Sequence, residues 1–262
     1  MVSSTLENQI TQLQLETEDI VIQTANTLKK RYKSTTRKVI DVIALWWLHN
    51  DIKNLTDAQS NIQSLMSELD GVIDPDNAEY VEKMTELFAE VYAFNYAYAQ
   101  DVLEVEEKES HDDLLVAFSL YQLASIPWAD DGVTYEQRMA NRAVELKNNI
   151  KLIVLRGSAM GYSSRRIAKM VEKEMSKSKY RGVQILVDES NHFANEAFKQ
   201  IGEKYFSGYQ ISGILDMKQC DHCRSMHGKV FSWDEYEIGI TAPLWHNSCR
   251  CRIIPIEIKR NI

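Results

Sequence analysis

Few residues in this chain can break a helix. Its 262 residues include only four prolines and ten glycines, and the long intervals between them carry apolar residues at helical spacing. In the first interval Leu6, Ile10 and Leu13 fall on one stripe. A capping pattern, Ser4-x-x-Glu7, marks its start. The sequence therefore predicts a mainly α-helical fold, and 44% hydrophobic residues suffice for a sizeable core.

Local signals set the expected ends of the helices. Asp74-Pro75 suits a helix start, Pro127 a stop, and Gly161 a helix end. The predicted helical segments, of which the first is one helix or a pair, cover about 4–50, 74–107, 111–125, 135–160, 163–177 and 183–205. After Gly208 the apolar residues alternate with polar ones, and we predict strands near 209–215, 229–233 and 252–258.

Charge divides the chain into two halves. Residues 1–126 carry 22 acids and 9 bases, whereas residues 127–262 carry 16 acids and 21 bases. A basic stripe lies within residues 156–181, with 8 bases against 2 acids. Such a stripe can follow phosphates, although an exposed helix face is the simpler interpretation. The two halves are expected to face different partners.

The amino terminus lacks the pattern of a signal peptide. The longest nearly apolar run, 39–48, is far shorter than the roughly 20 residues of a membrane helix, so we expect a cytoplasmic protein with no membrane partner. In a reducing compartment, clustered cysteines are more often metal ligands than disulfides.

All four cysteines lie near the carboxy end, in two arms. Cys220-x-x-Cys223 forms the first arm, and His246-x-x-Cys249-x-Cys251 forms the second. Zinc takes four such ligands tetrahedrally, so the five candidates are one too many. Cys220 and Cys223 are the safest pair. We expect His246 and one of the two remaining cysteines to complete the site, with the other cysteine packed nearby.

The metal's role is predicted to be structural. About 50 residues with three short strands make a poor core, and a metal can supply the missing folding energy. A catalytic zinc would need an open position and a carboxylate base, and nearby Asp221, Asp234 and Glu235 are interpreted as ordinary turn acids. Arg250, between two candidate ligands, could neutralise a thiolate-rich site or contact a partner.

These observations predict three domains: an acidic helical domain at 1–126, a helical connecting region at 127–207, and a small strand-rich zinc-binding module at 208–262. The fold class is thus mainly α, with an elongated helical N-terminal region, a helical linker and a small α+β module stapled by one zinc ion.

The two arms resemble a known family. Cys220-x-x-Cys223-x-x-Met-His-Gly-Lys-Val-Phe231, then Pro243 and His246-x-x-Cys-Arg-Cys251, resembles the carboxy-terminal domain of the Mu-type head-morphogenesis family of tailed phages. Upstream stretches look similar to the same family in phages of Gram-positive hosts. They are Pro127-Trp128, Asp131-Gly132, Gln137-Arg138-Met139, Gly161-Tyr-Ser, Ile167-Ala-Lys and Asn195-Glu-Ala197. Asp188-Glu189 departs from the commoner Thr-Glu pair, and His246 stands one residue late after Pro243. The resemblance covers about residues 127–256.

The resemblance implies a low-copy structural protein, not an enzyme. Such a protein binds the portal protein inside the procapsid, assists head assembly, and travels with the DNA on ejection. It resides in the virion, in the head interior near the portal, after assembly in the host cytoplasm. Scaffolding or major capsid protein are further partners, and packaged DNA would meet the basic segment 156–181.

Three other functions were weighed. A fused toxin or other effector enzyme is disfavoured because the chain ends 11 residues after Cys251. An HNH-type nuclease would need a second metal-binding histidine arm beyond His246-Asn247. A zinc-dependent nucleic-acid-binding regulator would need a more basic domain with a groove-reading helix.

Overall fold

The computed structural model describes residues 2–105, 122–129 and 131–258. The long helices are α1 (Ser4–His49), α2 (Leu55–Val102), α3 (Tyr135–Ala159) and α4 (Ser164–Tyr205). The remaining elements are β1 (Gly208–Ser212), the short helix α5 (Asp221–Met226), β2 (Val230–Ser232), a 3-10 turn (Trp233–Glu235) and β3 (Arg252–Ile256). These elements confirm the predicted fold class, mainly α with a small sheet-containing carboxy-terminal part.

Helix α1 is a single helix and ends where the sequence predicted. Its cap differs by one residue from the prediction: the Ser3 hydroxyl, not that of Ser4, accepts the Leu6 N–H at 3.2 Å. Ser4 is already the first residue of the helix. Ser3 takes the role of cap because its hydroxyl reaches one of the orphan N–H groups of the first turn.

The predicted helix start at Asp74-Pro75 is wrong, because Pro75 lies inside α2. The helix begins about 20 residues earlier, where Asn54 and Asp57 cap each other's backbone: Asp57 N–H donates to Asn54 Oδ1 at 3.1 Å and Asn54 N–H to Asp57 Oδ2 at 3.2 Å. Pro75 is exposed. The helix continues through it without the N–H that a different residue would supply.

The break predicted between 177 and 183 is also wrong, since α4 is continuous from Ser164 to Tyr205. Gly182, inside the predicted gap, is buried within the helix. A side-chain carbon there would lie 3.3 Å from Arg142 Nη1. The glycine is therefore explained by close packing and not by a helix end.

The predicted helix at 111–125 falls largely outside the described residues. Its last four residues, 122–125, are helical and end just before Pro127. The predicted end of the preceding helix near Glu107 also lies outside them, and α2 ends at Val102.

The chain divides into two compact units, each assembled from separate stretches. Unit 1 comprises Met1–Thr24, Met84–Tyr135 and Leu186–Ile262, and unit 2 comprises Ala25–Lys83 and Glu136–Ile185. The predicted boundaries at 126 and 207 follow the chain in sequence order and stay a prediction.

Unit 2 has a helical core organised around Arg142. This residue is 4% exposed, and its guanidinium lies over the rings of Tyr32 and Tyr80 at 5.5 and 5.4 Å. Nη1 donates to the Ser178 carbonyl at 3.1 Å and Nη2 to Asn77 Oδ1 at 2.9 Å. The stacked rings and the two acceptors together balance the buried charge.

Unit 1 contains a three-stranded antiparallel sheet in the order β2-β1-β3. Every residue of the central strand β1 is buried. Trp233 packs against Gly202 of α4, where an added side-chain carbon would lie 2.3 Å from the indole ring. Elsewhere in the unit, Phe88 stacks on Phe193 with ring centroids 5.0 Å apart. Aromatic side chains thus join the small sheet to the helices of its own unit.

None of the helices within the described ranges combines the length and the hydropathy needed for a bilayer crossing.

Candidate metal centre

The cysteines lie in the cysteine module, the name used here for residues 208–258. The first arm is built on helix α5. Cys220 is its N-cap, and its Sγ accepts the Cys223 N–H at 3.4 Å. Both sulfurs face one ring nitrogen: Cys220 Sγ and Cys223 Sγ each lie 3.1 Å from His246 Nε2. The CxxC arm is therefore a helical turn that directs both of its sulfurs towards the second arm.

A backbone carbonyl fixes the orientation of His246. Its Nδ1 lies 2.8 Å from the Asn247 carbonyl oxygen. Because a carbonyl can only accept, Nδ1 carries the proton and Nε2 presents its lone pair to the sulfurs. Metal-bound histidines usually hold their other ring nitrogen in this way. The tautomer of His246 thus suits a ligand.

The second arm closes on itself through a tight turn. Cys249 N–H donates to the His246 carbonyl at 3.1 Å, and Ser248 between them has a positive φ of 60°. The Ser248 N–H donates to the Asp188 carboxylate of α4. This turn places Cys249 Sγ 3.7 Å from Cys223 Sγ. Cys251, two residues on, is 2% exposed.

Five candidate ligands form two overlapping groups. One is Cys220, Cys223 and His246, and the other is Cys223, Cys249 and Cys251. Within each group the ligand atoms lie within 4.8 Å of one another. In a tetrahedral zinc site with Zn–S of about 2.3 Å, sulfurs lie about 3.8 Å apart. The 3.7 Å between Cys223 and Cys249 meets that requirement, so the cluster could hold a metal ion.

The structure brings all five predicted ligand residues together. Their binding of metal stays a prediction, as does the choice between Cys249 and Cys251. His227, which follows the first arm and was not predicted as a ligand, accepts the Gly213 N–H on its Nδ1 at 3.1 Å. Of the acids weighed for catalysis, Glu235 accepts both the backbone N–H and the hydroxyl of Ser232 and so caps the 3-10 turn.

The thiols of the buried group differ in acidity. Burial, with the neighbouring Cys249 charge, raises the pKa of Cys223 to about 12. The hydrogen bond with Cys249 and burial raise the pKa of Cys251 as well. The same Cys251 hydrogen bond lowers the pKa of Cys249 to about 5. One thiolate at Cys249 is therefore favoured, and a bound cation would let its neighbours lose their protons.

Sequence analysis missed three polar residues that hold the second arm. Asn191 Nδ2 donates to the Cys249 carbonyl at 2.9 Å, and Asn195 Nδ2 donates to the Cys251 carbonyl at 3.2 Å. Arg252, 1% exposed, donates from Nη1 to Asn191 Oδ1 at 2.9 Å. The asparagines are four residues apart on one helix, but that spacing alone gives no sign of a distant cysteine arm.

Arg250 was expected to neutralise the thiolates or to contact a partner. Its guanidinium instead lies next to two acids. Its guanidinium pairs with Asp216 and lies 3.6 Å from Glu18 Oε1. Gln14 Nε2 donates to the Arg250 carbonyl at 3.3 Å. Arg250 thus joins the second arm to helix α1, whereas Arg252 is the buried cation next to the cysteines.

The fold and the site together describe a mainly helical protein whose small sheet carries a candidate metal centre. Comparison with known families gives a more specific class. Residues 148–254, about two fifths of the chain, match the family model described as Phage Mu protein F like protein. Both cysteine arms lie inside the matched segment. The match confirms the resemblance of this segment to the Mu-type head-morphogenesis family. No curated protein and no solved structure matches the chain.

Proposed function

We propose that the chain is a structural minor head protein of a tailed phage, that it binds the portal inside the procapsid, and that it assists head assembly and becomes part of the virion. The family match over residues 148–254 carries this proposal, because that segment contains the whole candidate metal centre. The role is structural and not enzymatic. Scaffolding or major capsid protein are further candidate partners in the procapsid.

The metal proposed for the site is one zinc ion with a structural role. Sulfur and imidazole ligands in a tetrahedral arrangement favour zinc among common divalent ions. The neighbouring acids are already engaged, Asp216 by Arg250 and Asp188 by the Ser248 N–H. A closed set of four ligands without a general base is the arrangement of a structural site.

Packaged DNA is proposed as the partner of the basic face of α4. Arg165, Lys169 and Lys173 follow one another in steps of four residues, about 6 Å along the helix. They are exposed and form no ion pair with any residue that the structure describes. The buried stripe of the same stretch consists of Ile167, Val171 and Met175, on the other side of the helix. Such a row of free cations fits a phosphate backbone.

The DNA contact is tested with a variant in which Arg165, Arg166, Lys169 and Lys173 are changed to glutamine. The slope of log affinity against log salt for duplex DNA should become shallower by roughly 3 to 4, since each lost phosphate contact contributes about 0.9. A control changes exposed Lys29, Lys30, Lys33 and Lys38 of α1 and removes the same charge. Equal effects of both variants, or none, would reject the basic face as the DNA contact.

The proposal as a whole is tested by quantitative mass spectrometry of purified heads, both mature and DNA-free, from the source phage or induced prophage. We expect a few copies of this chain per head in both kinds of particle, co-purifying with the portal protein. Copy numbers are scaled to the major capsid protein in the same sample. Absence from both kinds of head would exclude a virion role and favour the regulator or nuclease hypotheses.

A further inference from the structure

We infer that Asn191, Asn195 and Arg252 form an outer shell that orients the Cys249–Cys251 arm around the bound metal and offsets its negative charge. The inference rests on the proposed metal site. It identifies two residues of helix α4 and one of strand β3 that set the metal affinity.

Asn195 binds the backbone around β3 as a neighbouring strand would. Its Nδ2 donates to the Cys251 carbonyl at 3.2 Å, and its Oδ1 accepts the Ile253 N–H at 3.0 Å. The amide nitrogen also donates to the Asn191 carbonyl, one turn earlier in α4, at 2.9 Å. Because the buried amide uses both its nitrogen and its oxygen, it fixes the backbone on both sides of Arg252.

Asn191 links the second arm to the buried cation. Its Nδ2 donates to the Cys249 carbonyl at 2.9 Å, and its Oδ1 accepts from Arg252 Nη1 at 2.9 Å. One asparagine of α4 therefore donates to the carbonyl of Cys249, and the other donates to the carbonyl of Cys251. In the folded module these two hydrogen bonds position the backbone of both cysteines.

Arg252 supplies the charge that this arm needs. It is 1% exposed, and its Nε has no hydrogen-bond partner among the described residues. A divalent ion with three thiolates and a neutral histidine carries a net charge of −1. A negative cluster in a protein interior is stabilised by a buried cation, and the charges that stabilise the Arg252 cation against burial are those of Glu18, Cys249 and Cys251. The negative charge of the metal-loaded site and the positive charge of Arg252 would each offset the cost of burying the other.

The experiment measures zinc affinity by competition with a chromophoric chelator, together with the thiolate charge-transfer absorption of the cobalt-loaded protein. Arg252→Met should weaken zinc binding by about 10- to 100-fold, the usual effect of an outer-shell change. Arg252→Lys keeps the charge and should recover part of the loss. Asn195→Asp keeps the acceptor for Ile253 but loses the donor to Cys251, and it should also weaken binding.

The matched control is Arg224→Met, which removes an exposed cation directly beside Cys223. Solvent screens this charge, so its loss should change the zinc affinity by less than about threefold. Wild-type affinity in both Arg252→Met and Asn195→Asp would overturn the inference, as would an equal loss in Arg224→Met. Wild-type protein that binds no metal would instead refute the proposed metal site, and the inference with it.

Discussion

Unit 2 buries large side chains along parts of helices α1 to α4, whereas the cysteine module holds its second arm by hydrogen bonds from three polar side chains. In unit 2 the buried arginine, Arg142, lies over two tyrosine rings and has neutral acceptors. In the module the buried arginine, Arg252, donates to Asn191 and interacts electrostatically with Cys249 and Cys251, two of the candidate metal ligands. From this comparison we expect that helical burial stabilises unit 2 by itself, while the stability of the module depends on the proposed metal.

The largest effect is expected from Cys223→Ser, because Cys223 belongs to both groups of candidate ligands. The variant should lose its bound zinc, about one ion per chain, and the strands β1 and β3 should lose their structure. Metal analysis of the purified protein measures the first effect. Hydrogen exchange of the two strands measures the second.

His222→Asn provides the control for this variant. His222 lies between Cys220 and Cys223 in the sequence, is exposed, and belongs to neither ligand group. The control should keep its metal. Full zinc content in Cys223→Ser, or its loss in His222→Asn, would break the proposed distinction between ligands and neighbours.

The next largest effect is expected in unit 2, from Arg142→Ala. The change leaves the Ser178 carbonyl and Asn77 Oδ1 without their donor and opens a cavity between Tyr32 and Tyr80. We expect a loss of about 3–5 kcal/mol in the free energy of unfolding. Chemical denaturation measures it. Zinc content should stay at the wild-type value, and a variant that loses both would contradict the independence of unit 2 from the metal.

A smaller and opposite effect is expected from Pro75→Ala. Alanine supplies the missing N–H inside α2 and removes the clash of the proline ring with the preceding turn. It also raises the conformational entropy of the unfolded chain, which offsets part of this gain. The net gain should be about 1–2 kcal/mol, measured by thermal unfolding. Glu82→Ala, at another exposed position of the same helix, should change stability by less than about 0.5 kcal/mol. A loss of stability in Pro75→Ala would show that the proline is required.

The smallest effect concerns pH and Glu196, which contacts the cysteine module through the Tyr236 hydroxyl at 3.2 Å. Burial raises the pKa of Glu196, and Lys199 only partly opposes the rise. The folded state thus holds this proton to higher pH than the unfolded chain, and stability falls as pH rises through the folded-state pKa. Glu196→Gln should therefore gain stability relative to wild type as the pH rises above 4.5, the ordinary pKa of glutamate. An equal stability of Glu196→Gln and wild type at every pH would contradict the raised pKa of Glu196.

Periodicity and spacing predicted much of the fold and the five residues of the candidate site. The clustering of the cysteines is visible because CxxC and HxxCxC are local patterns. Helix interiors were harder: Asp74-Pro75 carries the signal of a helix start and a break was predicted between 177 and 183, but the helices continue through both places. Asn191, Asn195 and Arg252 could not be found from sequence. Their role depends on contacts across about 60 residues, which no local pattern encodes.

Hydrogen exchange on the wild-type protein, with and without a zinc chelator, tests the central comparison most directly. We predict that chelation removes amide protection in β1, α5 and β3, while α1 to α4 within unit 2 keep theirs. Unchanged protection of the strands without zinc would contradict the account, because the cysteine module would then fold on burial and hydrogen bonds alone.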